Sequence, residues 1–245
     1  MGAAPFTCAP ALAGHVASCG HCARYDWPRT APFTHAAAAA MIETMWVSLA
    51  TWIIQDGAPE LARGSQLRNV GLRADCLSVG PARTATDGIT EPATPGGEQQ
   101  AGRCRYELTG VAGHAEDVRT EMGHAGWEFV IAAGDQAFLA RTAGPASQIV
   151  AGSRVTAQCT LSVVADYQWE AFGLPDLRTD WYVRRLKFEQ RQIDYLPDGP
   201  GGALASSPGK VLRSVEIEKM SRWEDDRDSG IMAQYLLDVT PLRAA

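Results

Sequence analysis

Residues Arg154–Val163 read RVTAQCTLSV and give the clearest structural signal in this chain of 245 residues. The residues on one side of the alternation are apolar or carry a thiol: Val155, Ala157, Cys159, Leu161 and Val163. Polar residues stand between them, and a period of two is the pattern of a β-strand with one buried face and one face in water. Gly152-Ser153 precedes the strand, and a polar, aromatic run at 166–169 follows it. We therefore predict that this strand anchors the core of a β-rich protein.

Several other segments have the same character, and turn-forming residues separate them. The strand-like segments are 103–111, 127–132, 180–192, 211–220 and 231–240. Glycine, proline and charged residues fill the stretches between them, and 84–101 is a long turn-rich loop. Many short strands with few helices indicate a mainly β protein. We predict a small Greek-key, OB-like barrel or a sandwich, with at most one short helix.

Two parts of the chain show a similar order of features. Residues 52–79 and 138–163 each run from an aromatic segment through a Gly/Pro turn and an apolar-x-x-Gly-Ser motif to a strand with Ala-x-Cys and Leu-Ser-Val. The segment Trp46–Ile54 fits a helix or a strand by itself, and this similarity favours a strand. We therefore predict two tandem β units, 45–147 and 148–245, related by duplication.

Residues 1–44 differ from the rest of the chain because they carry no sustained apolar period. We interpret them as a weakly ordered N-terminal arm, in which Thr34–Thr44 is the one candidate for a short helix. The alternative is a mis-assigned start, with translation beginning at Met41 or Met45.

The charge and the cysteines restrict the classes of function. The formal net charge is −6, and arginine supplies nearly all of the positive charge, as is typical of a GC-rich bacterial genome. Non-specific polyanion binding is therefore disfavoured, because it depends on cation–phosphate contacts. No secretory signal is recognisable, and 36–54 is too polar for a convincing membrane span. Cys76, Cys104 and Cys159 lie in apolar strand patterns, so we expect a cytoplasmic protein that contacts no membrane.

Cys19-Gly-His-Cys22 is the sharpest short motif. It resembles the redox motif of protein disulfide isomerases, but the strand and the amphipathic helix that flank such a motif are missing. With Cys8, His15 and His35 nearby, Cys19 and Cys22 are alternatively candidate ligands of Zn²⁺, which takes four nitrogen or sulfur ligands. An inert leader is the third interpretation. We predict no cofactor.

Residues 178–191, RTDWYVRRLKFEQR, form the one locally basic stretch. Proteins that bind single-stranded nucleic acid combine aromatic faces for base stacking with cations for the backbone. The candidate binding residues are Trp181, Tyr182, Arg184, Arg185 and Lys187. Strict alternation places Trp181 and Val183 on one face and Leu186 on the other. The alternative is a barrel strand whose aromatic residues point inward while its arginines cover the outside.

The polar stretch 112–126, which we expect to be a loop, is the candidate for acid–base chemistry. It contains His114, Glu116, Asp117, Glu121 and His124. No nucleophile or oxyanion hole accompanies these residues. The sequence also lacks the G-x-S-x-G, P-loop, H-E-x-x-H and dinucleotide-binding motifs.

These features favour a non-catalytic binding or interaction module. It would recognise a protein or a small-molecule ligand through loops or an exposed strand edge. The first alternative is a single-stranded nucleic-acid-binding protein that uses 178–191, although the net charge disfavours it. The second alternative is an enzyme that uses 114–124.

Overall fold

The computed structural model describes residues 44–50, 61–91, 104–119, 125–143, 149–164, 176–198, 203–220 and 230–242. These residues form eleven β-strands and no helix, which confirms the prediction of a mainly β fold. The strands are β1 (Met45–Ala50), β2 (Gln66–Val70), β3 (Leu72–Pro81), β4 (Gly88–Thr90), β5 (Arg105–Arg119), β6 (Ala125–Ala133), β7 (Gln136–Ala143), β8 (Arg154–Val163), β9 (Thr179–Asp198), β10 (Ala203–Ile217) and β11 (Ile231–Pro241).

Five of the strands close into a barrel. β5, β6 and β7 form an antiparallel meander, and β8 pairs antiparallel with both β5 and β3. β3 then pairs with β7 in parallel, which completes the ring in the order β8-β3-β7-β6-β5. Of the two predicted architectures, the barrel is therefore the one that forms. Because β3 precedes the meander in the chain, its closing contacts join strands that are distant in sequence.

β8 supplies much of the barrel core. All five of its alternating apolar or thiol-bearing residues are buried, and Ala157 and Leu161 are completely so. They belong to one core cluster with Phe129, Ile131 and Phe138 of the meander. Burying a side chain such as that of Leu161 stabilises the fold by about 1.5–3 kcal/mol. The strand predicted for 154–163 is confirmed, with the same ends.

Similar turns precede β2 and β8. In each, the N–H and the hydroxyl of a serine donate to the carbonyl oxygen three residues earlier, at 3.0 and 2.6 Å for Ser65 and at 2.9 and 2.6 Å for Ser153. The preceding glycine has a positive φ, 83° at Gly64 and 87° at Gly152. Glycine is favoured there because the third position of a type II turn requires a positive φ. The two Gly-Ser motifs thus share a local structure, while duplication of the chain stays a prediction.

A second part of the same sheet extends from β8. Ser48 of β1 pairs in parallel with Ser162 of β8, β1 pairs antiparallel with β11, and the order continues through β9 to β10. β2 pairs with the N-terminal part of β9. Buried residues of these strands, such as Val47, Leu186 and Leu237, belong to the same cluster as the barrel residues. The hydrophobic core is therefore continuous between the barrel and the extension.

Strand pairing crosses the boundary predicted between residues 147 and 148. β8, from the second predicted unit, closes the barrel with β3 and β5 of the first. β1 of the first unit pairs with β11 of the second. All the described residues fall in one compact unit, 35–245. The strands with the two similar motifs, β3 and β8, are thus neighbours in one barrel.

Candidate functional site

The predicted nucleic-acid-binding residues all lie on β9, but they do not share a surface. Trp181 is buried, and its indole N–H donates to the carbonyl oxygen of Val70 at 3.0 Å. Tyr182 is 37% exposed, and Arg184 is exposed beside it. Of the two aromatic candidates, Tyr182 alone therefore presents its side chain at the surface.

A β-bulge changes the alternation of β9 after Val183. β9 carries one extra residue, Arg184, relative to β11. An extra residue shifts the alternation of the strand beyond it. Val183 and Leu186 are therefore both completely buried although they are three positions apart. The prediction that Leu186 faces away from Trp181 and Val183 is wrong for this reason.

Arg185 and Lys187 lie against an aromatic ring that the sequence did not associate with them. Arg185 Cζ is 5.4 Å and Lys187 Nζ is 4.6 Å from the centroid of the Trp46 ring, at distances typical of cation–π interactions. Asp238 of β11 is opposite both Trp46 of β1 and Arg185 of β9, so three adjacent strands bring these groups together. With Glu216 of β10, which pairs with Arg185, these residues form a set that we name the Trp46 cluster.

The Trp46 cluster contains two cations and two carboxyl groups. Arg185 Nε and Nη2 donate to Glu216 Oε1 and Oε2 at 3.2 and 2.8 Å. These hydrogen bonds raise the pKa of Arg185 and lower the pKa of Glu216. Burial raises the pKa of Asp238, against the opposite effect of Arg184 and the other nearby cations. The cluster is therefore not a purely cationic groove of the kind that follows a nucleic-acid backbone.

A buried ion pair lies farther along β9, between β10 and β11. Arg191 Nε donates to Glu189 Oε1, and both side chains are almost completely buried. Gln234 Nε2 of β11 donates to the same Glu189 oxygen at 2.8 Å, and Arg191 Nη1 donates to the Gly209 carbonyl oxygen of β10 at 3.0 Å. Glu189 Oε2 has no hydrogen-bond partner within the described part of the chain. The pair therefore ties three strands together at one level of the sheet.

Beyond this level, β9 and β10 are the two strands that continue among the described residues. Within the described residues, β11 pairs with β9 as far as Gln192 and the Gly230 carbonyl oxygen accepts from Ile193 N–H, whereas β10 pairs with β9 as far as Asp198. At about 3.3 Å per residue, segment 193–198 extends roughly 20 Å past the last β11 partner. Tyr195 in this segment is 53% exposed.

Within the described ranges, β10 is an edge strand, because β9 is its only strand partner there. Its exposed residues 212–216 include Leu212, at 52%, and Val215, at 36%. Register shifts between Pro208 and Arg213 make the preceding part irregular, and bulges and proline of this kind protect an edge from pairing. The segment 213–217 has no such shift. Among the described residues, no strand other than β9 pairs with it.

The stretch considered for acid–base chemistry is mostly strand. β5 continues to Arg119, β6 begins at Ala125, and the two strands pair along this length. The expectation of a loop over 112–126 is therefore wrong for most of its residues, since a polar composition also suits a two-stranded hairpin. His114, Glu116 and Asp117 fall in β5. Glu121 and His124 lie outside the described residues, and catalysis by this set stays a prediction.

The candidate metal ligands Cys19 and Cys22 also lie outside the described residues. Within the ranges that the structure describes, no group of three or more His, Cys, Asp or Glu residues could hold a metal ion. Nor does that part of the chain contain a helix that is long and apolar enough to cross a membrane.

Comparisons of the chain with protein-family models, with curated proteins and with solved structures find no match. Function must therefore be inferred from the geometry of the chain itself.

Proposed function

We propose that the protein is a non-catalytic interaction module that binds an extended segment of a protein partner along the edge of β10. The observation that carries this proposal is the edge itself, whose regular segment 213–217 has β9 on one side and no described strand on the other. A strand added to such an edge gains main-chain hydrogen bonds, and its side chains fix the register. An exposed edge of this kind suits a protein better than a small-molecule ligand.

The edge is held in place before a partner arrives. Arg191 and Glu189 tie β9 to Gly209 of β10 and to Gln234 of β11. Gly209 lies four residues before Arg213, where the regular segment begins. A segment that is already ordered loses less conformational entropy on binding. The buried pair therefore supports a binding role for the adjacent edge.

Charge along residues 210–218, which comprise the end of β10 and the residue after it, favours one direction of the partner strand. Lys210 and Arg213 precede Ser214, whereas Glu216 and Glu218 follow it. An antiparallel segment with the same order of charges places anions beside cations at both ends, while a parallel one places like charges together. β10 is itself such a segment. The partner to which we commit is therefore a second copy of this chain.

The first test is the oligomeric state, measured by size-exclusion chromatography with light scattering. We expect a dimer, and a monomer for Lys210→Glu/Arg213→Glu, which makes the edge uniformly anionic. Arg68→Glu/Arg105→Glu is the matched control, because it makes the same charge change at exposed positions on β2 and β5 and should remain dimeric. A wild-type protein that stays monomeric at high concentration, or a dimer that survives the β10 reversal, would overturn the commitment to a second copy.

The second test separates edge binding from self-association. A labelled peptide with the sequence of residues 210–218, KVLRSVEIE, should bind the protein, and a peptide in which both glutamates are replaced by lysine, KVLRSVKIK, should bind the Lys210→Glu/Arg213→Glu variant instead. If neither peptide binds its matched protein, β10 does not accept a strand and the proposed function fails.

We also propose a cytoplasmic location. Cys76, Cys104 and Cys159 are free thiols, and reducing compartments keep thiols free.

A second candidate function is binding of single-stranded nucleic acid. It is favoured by the shared surface of Trp46, Arg185 and Lys187, with Tyr182 and Arg184 exposed on the same strand as the two cations. The two carboxyl groups of the Trp46 cluster weigh against it, as does the net charge of −6.

A further inference from the structure

Cys76 of β3 and Cys159 of β8 are directly opposite each other in an antiparallel strand pair of the barrel. Opposite residues in such a pair point to the same face, with Cα atoms about 4.5–5.5 Å apart. A disulfide joins cysteines whose Cα atoms are about 4.4–6.8 Å apart. Both thiols are free in this structure, and they are the cysteines of the two Ala-x-Cys motifs.

We propose that Cys76 and Cys159 are an oxidisable pair that closes to a cross-strand disulfide and locks β3 to β8. This inference is independent of the interaction proposed for β10.

β3 is irregular directly after Cys76. The register between β3 and β8 shifts between Cys76 and Ser78, so Leu77 is an extra residue, and it is exposed. A bulge interrupts the ladder locally and bends its strand. Cys76 can therefore move towards Cys159 while the regular pairing from Leu72 to Cys76 is kept.

Access to solvent determines which thiol reacts first. Cys159 is 1% exposed, whereas Cys76 is only partly buried. With a small-molecule disulfide as oxidant, Cys76 reacts through its thiolate, which is a minor form because burial raises its pKa to about 12; the thiolate attacks one sulfur, forms a mixed disulfide and releases one small thiol. The Cys159 thiolate then attacks the Cys76 sulfur and releases the second small thiol. In total the two cysteines lose two protons and two electrons, and one small disulfide is reduced to two thiols.

Cys104 provides a control within the chain. It is a buried, free thiol in the same core cluster, but it lies before β5 and is not opposite either cysteine of the pair. Its replacement should leave the cross-link unaffected.

To test this, the folded, full-length protein is treated with oxidised glutathione and its remaining thiols are alkylated. Its tryptic peptides are then mapped by mass spectrometry. We expect peptide 74–83 joined to peptide 155–178, in the wild type and in Cys104→Ala. Cys76→Ala and Cys159→Ala should lack this species. The oxidised wild type should also unfold at a temperature on the order of 10 °C higher, because the bond closes a long loop in the unfolded chain.

The wild-type peptide map is decisive by itself, so the inference does not depend on whether the Cys159 variant folds. Glutathione that remains on Cys76, a link from Cys76 to another cysteine, or a 74–83/155–178 link that forms only in urea would overturn the proposal. Any of these results would leave the β10 proposal untouched.

Discussion

The ammonium group of Lys187 lies 4.6 Å from the centre of the Trp46 ring, and the two residues meet across β11, which separates their strands. Arg185 lies against the same ring and is held by Glu216. Glu216 therefore controls how much of the positive charge at this surface is available to an anion from outside.

Glu216→Gln should strengthen binding of a single-stranded oligonucleotide, if the second candidate function is correct. The substitution removes one negative charge and releases Arg185, so we expect the affinity to rise roughly tenfold at low salt. The slope of log affinity against log salt concentration should steepen by the amount that about one additional phosphate contact contributes. Fluorescence anisotropy with a labelled oligothymidine measures both quantities.

Glu218→Gln is the matched control for this prediction, since Glu218 is exposed and pairs with Arg63 outside the Trp46 cluster. Equal binding by the two variants, or binding that survives Arg184→Ala/Arg185→Ala, would show that the Trp46 cluster is not a nucleic-acid surface.

Gly110→Ala should destabilise the barrel because β5 approaches β6 closely at this position. A Cβ atom on Gly110 would lie 1.9 Å from the carbonyl oxygen of Ala132, so the backbone must shift. We expect a loss of about 1–3 kcal/mol or more in the free energy of unfolding, measured with urea. Gly80→Ala is the control, because nothing lies within 4 Å of its Cβ position, and it should change stability by less than about 0.5 kcal/mol. Equal losses in the two variants would contradict the close approach at Gly110.

The alternation at 154–163 predicted β8 to its ends because one face of the strand is buried along its whole length. The same reasoning fails at Arg184, where a bulge changes the face of the sheet to which every following side chain points. Nothing in the residue composition of the strand indicates this change. The reasoning also fails at 112–119, since polar residues serve a hairpin strand as well as a loop.

The candidate surfaces were harder to predict than the strands. Trp46 and Lys187 meet only because β1, β11 and β9 are neighbours, and no spacing or motif in the sequence reports that order. The segment 213–217 has the composition of an ordinary strand, and only the strand order shows that one of its edges has no described partner. Alternation at Trp46, between the buried residues Met45 and Val47, was the one signal that its side chain lies on the opposite face of β1 from theirs.

Arg191→Met should be among the most destabilising substitutions in the extended part of the sheet. It leaves the Glu189 carboxylate buried without its cation, which costs about 3–5 kcal/mol. Glu189→Met/Arg191→Met should recover part of this loss, because it removes both charges together. Urea unfolding of the wild type, the single variants and the double variant completes the cycle.

The exposed pair of Arg63 and Glu218 is the control for the buried pair. Arg63→Met should change stability by less than about 1 kcal/mol, since exposed ion pairs contribute little. If Glu189→Met/Arg191→Met is as unstable as Arg191→Met, the loss of stability in Arg191→Met comes from the contact with Gly209 and not from the unpaired charge of Glu189.

Stability should fall at alkaline pH because thiols in the core resist ionisation. Burial, reinforced by the negative charge of Glu189, raises the pKa of Cys104 from 9.0 to about 12, and burial raises the pKa of Cys76 to about 12 as well. In the unfolded chain these thiols lose their protons above pH 9, while the folded protein keeps them. The folded state therefore binds more protons in this window, so the stability that is fully present below pH 9 is lost as the pH rises towards 12. Each such thiol steepens the fall by up to about 1.4 kcal/mol per pH unit.

Urea midpoints of the wild type and Cys104→Ala, compared on both sides of pH 9, should show a shallower fall in the variant. Parallel curves would mean that Cys104 ionises equally readily in the folded and unfolded chains.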